Sequence, residues 1–296
     1  MKVGSQASAF RTIGQHPKRI VFSVDYFPDG DRLVSVGSRE FLVWSAKGDE
    51  PALKELSTGR AAPIHTAACP TGGVVAVSIG TPQLSLWDPE SGRVTPLSHA
   101  LGTVRMAWTG DGRRLFLGSG GLKSVAIIDV ATEAAAAVGK TKRLGTFQVA
   151  IASDASRAIS GDADKLVHVW NPVSGELIGS LVGHTKAITS VAITKDGRWG
   201  FSSSRDGKVR VWDLAEMKES AIMDGGKKPI HALALSPDGE RIGSGGDDGV
   251  LRVWDRSGRD LAQFPVGRAI LCAAWCPTRG EIAVGTVDEF VRVCDV

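Results

Sequence analysis

The strongest constraint on this chain is a period. A short β-rich run ends in a two-residue signature seven times: Trp44-Ser45, Trp87-Asp88, Ile128-Asp129, Trp170-Asn171, Trp212-Asp213, Trp254-Asp255 and Cys294-Asp295. Successive signatures are 43, 41, 42, 42, 42 and 40 residues apart. A repeat of this length implies supersecondary units that bury their faces only by stacking on one another. The internal grammar is constant. In the fifth unit an alternating run (188–193) meets the turn Thr194-Lys195-Asp196-Gly197, a second run (199–203) meets Arg205-Asp206-Gly207-Lys208, and a third (209–212) ends on Trp212. A fourth run, such as 176–182, leads into each next unit. Asp-Gly turns recur at 27–30, 109–112 and 236–239. Asp can bond its own backbone there, and Gly accepts positive φ. No 3.6-residue apolar pattern competes; residues 131–138 come nearest, and read equally well as loop or strand.

Four short antiparallel strands in roughly 42 residues is the arithmetic of a propeller blade. The expected fold is all-β, a seven-bladed β-propeller spanning residues 1–296, with repeat ends near 44, 87, 128, 170, 212, 254 and 294. The last unit stops after its third strand. Residues 9–13, followed by Gly14-Gln15-His16, stand where 176–181 stands before Gly183-His184. Residues 1–13 are therefore expected to act as a latch, completing blade seven and leaving no unpaired edge. Units four, five and six end V-W-N, V-W-D and V-W-D. On these motifs the chain resembles the WD-repeat β-propeller family over nearly its whole length, with units one, two, three and seven degenerate but in phase.

Charge and cysteine usage narrow the function classes. With 35 Lys+Arg against 32 Asp+Glu the net charge is +3, too small for a strongly basic nucleic-acid domain. Cys69, Cys272, Cys276 and Cys294 form no C-x-x-C and no disulfide framework, and read as small buried residues. Phosphate-loop and dinucleotide motifs are absent, as is any 18-residue apolar run. The first 20 residues lack a signal-peptide pattern, so a cytoplasmic location is expected. His16, His65, His99, His168, His184 and His231 are too dispersed to converge on a metal. No metal or cofactor is expected.

Unit five carries His184, Ser202, Asp206 and Trp212, an invitation to a hydrolase reading. No G-x-S-x-G elbow surrounds Ser202. The family resemblance implies instead a buried hydrogen-bond chain, Trp to Ser to His to Asp, with a structural role and no enzymatic activity. Unit four offers Ser160, Asp164 and Trp170, with Lys142 at the His position. Unit six offers Ser244, Asp248 and Trp254, with Gly226 there. His16 and His99 keep the histidine, but their partners read as lost or displaced by a shorter turn; unit seven keeps only Asp288. Arg210, Arg252 and Arg292, each two before a repeat end, read as stems packed over strands or Trp rings.

The resemblance also implies that partners dock on the narrower face around the channel mouth. By position, the starts of the first strands contribute Phe22, His65, Arg105, Gln148, Thr189, His231 and Leu271; the turns after the second strands contribute Ala163, Arg205, Asp247 and Val287. Aromatic and Arg side chains suit a protein or peptide partner. The expected function is a non-enzymatic protein–protein interaction scaffold, monomeric on its own. Alternatives are a regulatory or sensor WD-repeat domain of a larger protein, a propeller-scaffold enzyme, and a nucleic-acid binder.

Overall fold

The computed structural model describes residues 10–17, 20–48, 51–59, 61, 63–79, 83–98, 104–119, 124–140 and 146–296. Alternation with tight turns gives each unit the same local outcome, a four-stranded antiparallel meander, and there are seven such sheets. Blade five is Ile188–Ile193, Trp199–Ser204, Lys208–Asp213 and Lys218–Asp224. Its first turn shows how the sequence dictates the bend. Asp196 accepts the Arg198 amide at 3.0 Å and Gly197 takes φ 66°. Asp111 and Asp238 do the same for the amides of Arg113 and Glu240. The ambiguous alanine-rich segment is the outer strand of blade three, Ala135–Lys140. No helix among the described residues is long and apolar enough to cross a membrane.

The first strands of successive blades touch all the way round, and Ile270–Trp275 of blade seven closes against Ser23–Tyr26 of blade one. They therefore line the central channel. Between blades, the apolar residues gather into seven separate clusters, one in each gap, and the repeat signature explains why. Trp44 fills the gap between blades seven and one, Trp87 that between one and two, Trp170 that between three and four, Trp212 that between four and five, and Trp254 that between five and six. Where the signature is not Trp, an indole arrives from elsewhere. Ile128 shares its gap with Trp108, and Cys294 shares its gap with Trp275, each the last residue of its blade's inner strand.

Blade seven is completed by Phe10–Gln15, which pairs antiparallel with Phe290–Asp295, Phe10 opposite Cys294. Residues 1–9 of the expected latch lie outside the described residues. A bulge between Thr12 and Gly14 lets the strand pass Trp44. A Cβ at Gly14 would sit inside the Trp44 indole, so only glycine fits. Ile13 is fully buried in the same gap. Removing residues 1–13 is expected to lower the melting temperature substantially. The lost burial of Ile13 alone is worth about 1.5–3 kcal/mol, before the freed edge of blade seven is counted. Calorimetry showing an unchanged Tm would rule out the latch.

Candidate functional site

The Ser-His-Asp constellation of blade five is a sealed line. The Trp212 indole N–H donates to Ser202 Oγ (2.8 Å), Ser202 lies 2.9 Å from His184 Nε2, and His184 Nδ1 lies 2.8 Å from Asp206 Oδ2. A carboxylate only accepts, so Nδ1 carries the imidazole proton and Nε2 accepts from the serine. Burial holds His184 below its ordinary pKa, against the pull of Asp206. Burial alone would raise Asp206, but the Thr185 and Lys208 amides and His184 hold it below the usual carboxylate range. Ser202 is fully buried with its hydroxyl committed at both ends, so it cannot meet a substrate. Blades four and six show the first link among the described residues: Trp170 donates to Ser160 (2.9 Å) and Trp254 to Ser244 (2.8 Å). Asp164 occupies the matching turn of blade four, while Lys142 and His99 fall outside the described residues.

Blade one decides between the two expectations for its network: the acid is displaced by a shorter turn, not lost. Trp44 donates to Ser35 Oγ (2.7 Å), which lies 2.7 Å from His16 Nε2, and His16 Nδ1 lies 2.8 Å from Glu40 Oε1. The turn is shorter, and the longer reach of Glu replaces the Asp. The arginines expected to pack by their stems also form ion pairs through their guanidinium groups. Arg252 pairs with Asp248 at 2.6 Å, Arg292 pairs with both oxygens of Asp288 (2.9 and 2.7 Å), and Arg210 pairs with Glu219. In blades six and seven, where no histidine reaches the turn acid, arginine supplies its counter-charge. The pair with Arg292 holds Asp288 down at about 2.

Replacing Trp212 by Ala is expected to cost about 3–5 kcal/mol through the cavity and the orphaned serine, read as a fall in chemically measured unfolding free energy. A loss under 1 kcal/mol would contradict the structural role. The histidines set a second expectation. His16, His65 and His184 are all held below the ordinary imidazole value by burial, so the unfolded chain takes up protons first as pH falls through about 6.5. Buried Asp25, pushed up to about 6, opposes them below that pH because its folded form protonates first. With three groups against one, Tm should fall between pH 7 and 5. The His16→Gln/His184→Gln variant should flatten the dependence; a Tm that rises on acidification would refute this assignment.

The channel is a cavity of about 460 Å³ whose wall comes from the seven inner strands. Cross-strand pairing fixes which residues are equivalent. Val24 opposite Ser35 matches Val191 opposite Ser202 and Leu233 opposite Ser244. One residue earlier, the strands supply a ring of Ser23, His65, Arg105, Gln148, Ser190, Ala232 and Cys272, all on the channel wall. The expected docking set therefore mixed two registers: Phe22, Thr189, His231 and Leu271 precede the ring by one residue, while His65, Arg105 and Gln148 belong to it. The two P-I-H tripeptides caused the slip. From His65 to Cys69, the residue opening the next turn, is one residue shorter than from His231 to Ser236. His65 thus faces the channel wall, whereas His231 sits on a bulge and pairs with Asp247 at 2.8 Å. Thr189 also leaves the expected set. Its hydroxyl donates across the blade gap to the Ile230 carbonyl, and it does not line the cavity.

Around the mouth, Phe22 is 40% exposed and Val287 38% exposed. Arg205, Asp247 and Ala163 are exposed, and Leu271 is half-buried. The turns lie against the inner-strand starts, since the Arg205, Asp247 and Val287 amides donate to the carbonyls of Ala187, Pro229 and Ala269. One layer deeper, Asp25 stands where the other blades have alanine (67, 107, 150, 192, 234 and 274). It bridges blades one and two by accepting the Tyr26 and Ala68 amides, each at 2.9 Å. Among the described residues no group of three or more His, Cys, Asp or Glu is gathered as a metal would require.

Comparison with known families places the sequence signal in the middle of the ring. The family profile described as WD domain, G-beta repeat matches residues 175–213 and 217–255. These segments run from the outer strand of blade four to the third strand of blade six. They hold the two units in which Val-Trp-Asp closes the repeat. A comparison with curated proteins found none that matches.

Proposed function

We propose that this chain, a member of the WD-repeat propellers, is a non-catalytic platform that binds a protein or peptide across the channel mouth. The observation that carries the reading is the makeup of that rim. A large aromatic, Phe22, stays 40% exposed beside the cavity, and exposed Arg205 and the His231–Asp247 pair stand on other blades of the same rim. An exposed aromatic and an arginine around a concavity are the side chains that most often anchor an interface. The polar groups that resemble a catalytic triad are buried in a gap between blades, away from any cleft. The WD-repeat match in residues 175–213 and 217–255 supports the same role by fold-level analogy, since propellers of that family generally serve as interaction scaffolds.

The triple variant Phe22→Ala/Arg205→Glu/His231→Ala should melt with the wild type yet lose its partners in affinity capture with quantitative mass spectrometry. A Lys195→Glu/Glu240→Lys variant, altered on turns at the opposite ends of the strands, should keep them. Identical capture by the triple variant and the wild type would place the binding surface elsewhere.

A further inference from the structure

We propose that the central channel contains an oxyanion subsite, formed by Arg105 and His65, that receives the carboxylate or phosphate of an incoming ligand. The ring of seven equivalent inner-strand residues carries one permanent charge, Arg105; its other members are Ser23, His65, Gln148, Ser190, Ala232 and Cys272. Elsewhere in the propeller, the three half-buried arginines on third strands each have an acid partner: Arg210 has Glu219, Arg252 has Asp248, and Arg292 has Asp288. Arg105 has none. Among the described residues no acceptor lies within hydrogen-bonding distance of its guanidinium, although it is half-buried in the cavity wall. Beside it, His65 Nδ1 is buried without a hydrogen-bond partner. An arginine fork open to the cavity, beside a histidine with a buried unpartnered nitrogen, presents two adjacent groups suited to an anionic acceptor.

The neighbouring acids do not fill that role. Asp25 also lines the cavity, but each of its oxygens already accepts a backbone amide, and it sits two residues further along the inner strand. Cys272, on the far side of the ring, is pushed up to about 12 by burial despite the nearby Arg105 charge, so it stays a neutral thiol. Burial and the Arg105 charge also keep His65 well below its ordinary pKa, leaving a neutral imidazole with one N–H to donate. An arginine fork matches the two oxygens of a carboxylate or phosphate, and a partly dehydrated setting strengthens the pair. A cavity of about 460 Å³ admits either group easily.

The subsite draws on the platform reading only for the source of the anion, which is either a side chain of a docked peptide or a free small anion. Inorganic phosphate tests it without a partner. At constant ionic strength, phosphate should raise the Tm of the wild type saturably relative to chloride. In Arg105→Gln the apparent affinity should fall at least tenfold, and Arg105→Lys, which keeps charge without the fork, should fall between. An equal shift in Arg105→Gln and wild type, or no saturable shift in wild type, would overturn the proposal. Should Arg105→Gln not fold, the Arg105 Nε–H resonance of the wild-type protein must still move on phosphate titration; a stationary resonance would overturn it equally. Calorimetry with capped Ala-Glu-Ala, its phosphoserine analogue and its Gln analogue then assigns the source. Tighter binding of the acidic peptides than of phosphate indicates a docked chain, and phosphate binding alone indicates a small anion. Failure of the platform reading is seen separately, in the partner capture of the Phe22/Arg205/His231 variant.

Discussion

Everything in this molecule depends on filling seven gaps. A blade is a thin sheet with two apolar faces, and neither is buried until a neighbour arrives. The residue at the end of each third strand enters the gap with the preceding blade, so the repeat is a list of gap fillers. The indole does two things there. It supplies the largest apolar surface available to a side chain, and its N–H anchors a serine on the neighbouring strand. Histidine and acid then extend that anchor to the turn at the rim. Packing and polar satisfaction are thus one device, which in blades one and five ties the position of the turn to the core below it.

The same device leaves the inner strands free to vary. Their outward-facing atoms are settled by the gaps, whereas in the ring facing the channel only Ala232 and Cys272 join the gap clusters. It therefore holds hydroxyl, imidazole, guanidinium, amide, methyl and thiol groups in equivalent places. Specific chemistry concentrates where the structural demand is weakest. Arg105 is the clearest case, the one permanent charge of the ring, whereas the half-buried arginines of the third strands are paired with acids.

What the sequence showed and what it hid have distinct physical causes. The period, the ring and its closure were legible because each rests on local patterns repeated at fixed spacing. The blade-five line was legible because its four members keep their offsets. Blade one stayed open between loss and displacement because a turn shortened while its acid lengthened from Asp to Glu40, two changes that cancel in space but not in alignment. Trp108 and Trp275 restore the missing indoles from a different strand, which no repeat alignment anticipates. The identity of the tripeptides at 63–65 and 229–231 concealed a one-residue offset. In a strand, one residue is the difference between two faces. The expected docking set spans two registers for that reason.

The pairing of Phe10 with Cys294 links residues separated by almost the whole length of the chain. Six gaps can close between neighbours in sequence, but the seventh joins the first blade to the last. Contacts of such separation form late and slowly, because loop-closure entropy must be overcome before the pairing repays it. During synthesis, an emerging chain would spend its growth as an open arc, with apolar faces bare at both ends until the final strands appear. The sealed ring is rigid once made. Its period of greatest vulnerability to aggregation or to chaperone capture falls just before closure.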